Sequence, residues 1–113
     1  MVPAPDHSIY WALEGSGIIY SSHDRQTWRR QSTGVHADLL AGSAPIGTVC
    51  WAVGGGGTVL LTTDGTTWQQ VKSPTTANLI GVRAASADVV TVKAADGQSF
   101  STFDGGSNWG PPE

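Results

Sequence analysis

The chain has 113 residues, enough for one small domain, residues 1–113. Charged residues make up 13% of it, about half the usual share of roughly 25%, and the formal net charge is −3. Six scattered cations leave no basic footprint for nucleic acid. One cysteine leaves no internal disulfide and no multi-cysteine metal site. No apolar run approaches the ~18 residues of a membrane span, so no membrane insertion is expected. Good helix formers are few, and turn and strand residues are many, so the composition reads as all-β. Five tryptophans and a hydrophobic share of 39% argue against disorder.

In chain order, Met1 to Pro5 reads as a linker end, and the predicted strands begin after it. Apolar runs bounded by Gly, Asp, Ser and Pro place strands at 8–13, 17–23, 27–32, 38–44, 49–54, 57–63, 67–72, 78–84, 88–94 and 97–103, with a stub at 107–109. Glu14 to Gly17, Gly54 to Gly57 and Asp96-Gly97 are hairpin turns whose glycines supply the positive φ such turns need. The segments repeat with a nearly constant step. Asp24, Asp64 and Asp104 are spaced 40 and 40, as are Gly17, Gly57 and Gly97, while Trp28, Trp68 and Trp109 are spaced 40 and 41. GIIYSSHDRQTW lies over GTVLLTTDGTTW and GQSFSTFDGGSNW, and YWAL over CWAV and VTVK. Naming the strands of a unit a to d, the units are 8–32, 38–72 and 78–109. The first lacks strand a and the last is short of strand d. A unit of ~40 residues with four antiparallel strands is the period of a propeller blade.

The turn between strands c and d carries a more specific mark. TFDGGSNW at 102–109 fits the Asp-box pattern, (Ser/Thr)-x-Asp-x-Gly-x-x-Trp, and TTDGTTW at 62–68 and SHDRQTW at 22–28 are variants one residue shorter. With the 40-residue period, these motifs resemble the BNR/Asp-box propellers, most of all the photosystem II assembly factor family and its bacterial relatives. The expected work of Ser22, Asp24, Trp28, Thr62, Asp64, Trp68, Thr102, Asp104, Gly106 and Trp109 is structural. Carboxylate and hydroxyl accept backbone N–H groups across the turn, and the Trp folds back over its own hairpin. In the family the boxes lie at the blade periphery, away from the ligand face. The first box has Arg25-Gln26 where the others have Gly, which leaves its turn geometry open.

Propellers with such boxes include sialidases, which need an Arg cluster, a Tyr–Glu pair and an acidic Asp. Here Arg25, Arg29, Arg30 and Arg83 do not gather by spacing, Glu14 sits in a turn, Glu113 is terminal, and Tyr10 and Tyr20 fall in strands read as core. His7, His23 and His36 are spaced 16 and 13, which matches no common zinc signature. Gly54 to Gly57 has no following Lys or helix start and is a hairpin, not a phosphate loop. Cys50 reads as a buried small hydrophobe. No enzyme activity, cofactor or metal is expected.

His23, Arg25, Arg29 and Arg30 with Trp28 form the densest basic–aromatic patch, a possible interaction site or a solvated edge strand. The resemblance implies a protein- or peptide-interaction module, extracytoplasmic or periplasmic. The alternatives are a carbohydrate-binding or vestigial glycosidase-like module, which the tryptophans encourage, and an excised piece of a larger propeller. Three blades cannot close a ring. Trp11, Leu13, Ile18 and Tyr20 on one bare end face, with Val90, Val92 and Phe100 on the other, lead to the expectation of a homodimer with six blades.

Overall fold

The computed structural model of the chain describes residues 2–5, 8–31, 33–65 and 67–110. Its strands are β1 (Val2–Pro3), β2 (Tyr10–Leu13), β3 (Ile19–Ser22), β4 (Arg29–Gln31), β5 (Leu39–Ile46), β6 (Val49–Gly54), β7 (Thr58–Thr62), β8 (Trp68–Gln70), β9 (Leu79–Ala84), β10 (Val90–Ala94) and β11 (Ser99–Thr102). They form three antiparallel meanders, β1-β2-β3-β4, β5-β6-β7-β8 and β9-β10-β11. The repeat is therefore a repeat of sheets, and each predicted strand of four or more residues is present.

The first sheet differs from expectation at its leading edge. The place of strand a, read as empty, is held by β1, which pairs Val2 with Trp11 and Pro3 with Tyr10. A two-residue strand ending in Pro has no periodicity to read, so the sequence alone does not distinguish it from a linker. In the third sheet the place of strand d reduces to one bridge. Ser101 and Gly110 exchange both backbone hydrogen bonds, at 2.8 and 2.9 Å.

The sheets stack face to face, and the middle one is covered on both sides. Along β6 every residue is buried, which is why its sequence runs apolar without alternation. Cys50 and Ala52 join Trp11, Ile19, Leu60 and Trp68 in the core shared with the first sheet. Val49, Trp51 and Val53 join Val59, Leu79, Val90 and Val92 in the core shared with the third. The a strands come together, β1 against β5 and β5 along β9.

This packing corrects the expected end faces. Trp11 is fully buried, and Leu13 packs against the same core between the first and second sheets. Val90 and Val92 are buried, and Phe100, opposite Val92, packs with them between the second and third. None of these five lies on a bare face. The outer side of the third sheet carries the alternate residues, Thr91, Lys93, Ser99 and Ser101, with Arg83 opposite Thr91. The outer side of the first sheet carries Tyr10, Ala12 and Tyr20, with Arg30 opposite Tyr20. Both tyrosines, read as core, are half-buried there.

Gly57 illustrates why the hairpins need glycine. Its φ is 78°, and a Cβ there would stand 1.9 Å from the Thr75 carbonyl oxygen. Gly17, one repeat earlier, has φ 75° and would meet the Val35 carbonyl at 2.1 Å.

Candidate functional site

Each box turn is held by its own carboxylate and hydroxyl. Asp24 Oδ1 accepts the N–H groups of Gln26 and Thr27 at 2.8 and 2.9 Å, and Ser22 Oγ accepts that of Arg25 at 2.8 Å. Asp64 Oδ1 accepts the Thr67 N–H at 2.7 Å while Thr62 Oγ1 accepts that of Gly65 at 3.0 Å. Asp104 accepts both the backbone N–H and the side-chain amide of Asn108, and Thr102 Oγ1 accepts the Gly106 N–H. Each hydroxyl also donates to its Asp. These bonds favour the charged carboxylate. The Thr27 and Gln26 N–H groups hold Asp24 below its ordinary range, and the Asn108 contacts bring Asp104 down to about 2. In the first box Arg25 takes φ 63°, matching the 81° and 76° of Gly65 and Gly105. The backbone of the turn is thus kept without its glycine, at a cost in strain.

The box tryptophans differ from expectation. Two of them reach across to the preceding sheet instead of only folding over their own hairpins. Trp68 Nε1 donates to Gln31 Oε1 at 2.5 Å, and Trp109 Nε1 donates to the Lys72 carbonyl at 2.7 Å. Trp28 belongs to the first unit and makes no such contact among the described residues. It is 36% exposed and has no hydrogen-bond partner among the described residues. Gln31 is a buried node that sequence reasoning missed. It donates to Ser21 Oγ and to the Gly65 carbonyl, which also accepts from Trp11 Nε1. Its repeat mate is Val71, so the period carried no signal for it.

The basic–aromatic patch is divided by the sheet. Adjacent residues of a strand face opposite sides, and Arg29 and Arg30 pair with Ser21 and Tyr20 respectively. Arg29 and His23 line a shallow pocket with Ile9, Ser21, Asp24 and Thr27, and His23 Nδ1 bonds the Ser8 carbonyl at 2.8 Å. Arg30 lies on the outer face with Tyr10 and Tyr20, and the Arg25 guanidinium sits 5.3 Å from the Tyr10 ring centroid. Trp28 stands two residues before Arg30, in the position from which Trp68 meets the first sheet. The outer face therefore gathers Tyr10, Tyr20, Arg25, Trp28 and Arg30. The signal for the tyrosines was present, since their repeat mates are Cys50 and Val90, and Leu60 and Phe100.

No group of three or more His, Cys, Asp or Glu converges among the described residues, and His7 and Glu113 lie outside them. Cys50 is buried beside Trp51, and burial pushes its thiol up. Trp11, Trp51 and Trp68 are buried between sheets, which removes most of the aromatic surface behind the carbohydrate reading.

No protein-family model matches the chain, and no curated protein matches it. Solved structures do. YCF48 from Cyanidioschyzon merolae superposes with a TM-score of 0.82 at 20% identity, over 98% of this chain and 38% of that one. A structure described as YCF48 bound to D1 peptide gives a TM-score of 0.79 at 22% identity, over 89% of this chain and 34% of that one. YCF48 is a photosystem II assembly factor and a β-propeller. The three sheets have the fold of propeller blades. The chain spans about a third of the length of the solved chains it matches, 34% and 38%.

Proposed function

We propose that the chain is a non-enzymatic, Asp-box propeller-type interaction module that holds a protein or peptide segment, with its three repeat units acting as one domain. The observation that carries this reading is the outer face of the first sheet. There aromatic rings and two arginines stand half-buried or exposed on a β-sheet rather than inside a core. Tyr, Trp and Arg are the residues that most often dominate binding at protein interfaces. The shared fold lends support, because one of the YCF48 structures holds a peptide. In this reading the boxes around Asp24, Asp64 and Asp104 serve the scaffold, since their acceptors are engaged by their own turns.

A displayed peptide library panned against the full chain tests the proposal. Enriched sequences should bind saturably in solution, and fluorogenic sialosides and common glycosides should give only background. A library that yields no binder, or saturable glycoside turnover abolished by one Arg→Ala change, would overturn it.

A further inference from the structure

We propose that the outer face of the first sheet takes an acidic peptide segment, with Arg25 and Arg30 pairing its carboxylates over a floor of Tyr10, Tyr20 and Trp28. This rests on the reading of the chain as a peptide-interaction module and adds the chemistry of the partner. Three observations converge on it.

The first is backbone strain. Arg25 occupies a left-handed turn position, φ 63°, that the other two boxes give to Gly65 and Gly105. A side chain with a Cβ is disfavoured there, and strain of this kind gathers at functional sites. What the strained residue does is set its guanidinium over the Tyr10 ring.

The second is charge. Arg25 and Arg30 form no ion pair among the described residues, while the chain as a whole carries −3. An acidic ligand is repelled by the chain's net charge and attracted where unpaired guanidinium groups stand together. Arg also presents a planar fork that matches a carboxylate.

The third is the contrast with faces that receive another sheet. The corresponding residues there are Cys50, Ala52 and Leu60 in the second sheet and Val90, Val92 and Phe100 in the third, all packed into shared cores. Tyr10 and Tyr20 replace those residues in the first sheet. Covering this face with an apolar blade would strip the Tyr20 hydroxyl and two guanidinium groups of water. A peptide with both acidic and apolar side chains satisfies them instead, its apolar groups lying on the amphipathic rings.

The test uses the full chain and a fluorescein-labelled peptide of mixed glutamate and leucine, read by anisotropy against its lysine-for-glutamate counterpart. The acidic peptide should bind, more weakly as salt rises, and the basic one should not. Arg25→Gly, which relieves the turn, and Arg30→Ala should each weaken binding about tenfold or more, as should Tyr20→Ala. Arg83→Ala and Lys93→Ala, on the opposite end face, should change nothing. Circular dichroism melts confirm that each variant is folded.

Equal binding of the basic peptide would overturn the proposal. So would binding that ignores Arg25→Gly and Arg30→Ala but is lost in Leu40→Glu or Ile80→Glu. Those two residues are each 50% exposed on the converging a strands, and that outcome would move the peptide there while leaving the interaction reading intact. A chain that dimerises through this face, detected as a mass that halves in Tyr20→Ala, would overturn it in favour of a second copy. Failure of every library peptide to bind would instead remove the underlying reading.

Discussion

Asp24 and Asp104 are held as carboxylates by hydrogen bonds that exist only in the folded turns. Their folded pKa values lie below the unfolded one, so the native state is favoured above the unfolded pKa, and that contribution is lost as pH falls through the folded one. For Asp104 the window runs from the ordinary 3.8 down to about 2. Thermal melts should therefore fall across that window, and Asp104→Asn should flatten the fall; a slope unchanged by the variant would refute the assignment. These turns were legible, because a hydroxyl, an Asp and a Trp at fixed offsets already specify which groups must bond. Gln31 was not legible, because it answers to partners in another sheet. Gln31→Leu leaves the buried Trp68 N–H without its acceptor, so the variant should lose about 2 kcal/mol in chemical denaturation. An unchanged midpoint would mean that Trp68 finds another partner.

At the scale of strands and turns, pattern reading succeeded wherever a strand was long enough to show a period. The hairpins at Gly17 and Gly57 follow from the glycine register, and their close carbonyl contacts explain why no other residue stands there. The third hairpin is looser. Gly97 has φ 91°, but a Cβ there would meet nothing within 4 Å. Gly57→Ala should therefore cost several kcal/mol, from a clash with the Thr75 carbonyl on top of the dihedral, while Gly97→Ala should cost about 1–2 kcal/mol from the dihedral alone. Urea unfolding of both variants checks the order, and equal losses would show that the carbonyl contact relaxes freely. Strand facing was the harder property. Alternation says that Tyr10 and Trp11 point to opposite sides, but not which side meets a neighbour. Only the stacking of the second sheet on the first decides it. Trp11 turns inward to the Gly65 carbonyl, and Tyr10 is left outside under Arg25.

Three blade-like sheets raise the question of what covers the two ends. The expectation of a six-bladed dimer rested on apolar residues at both, and Trp11, Leu13, Val90, Val92 and Phe100 are instead inside. Comparing the repeats shows how the far end differs. On the side facing the next sheet, the second unit presents Trp51, Val53 and Val59, and the third presents Thr91, Lys93 and Ser99 at the same positions. The exchange replaces an apolar face by one that water tolerates. At the near end Tyr10, Tyr20 and Arg30 make a comparable, though more aromatic, exchange. A head-to-tail ring would have to bury Lys93 and Arg83 against Arg25 and Arg30, four cations in one seam. Like charges brought together out of water oppose such a seam strongly. The expected outcome is a monodisperse monomer near 11.7 kDa in light scattering after size exclusion. A stable species of twice that mass, dissociated by Lys93→Glu rather than strengthened by it, would restore the ring. Under the argument from charge, Lys93→Glu is instead the one change that should make two chains associate, by placing a carboxylate opposite those arginines.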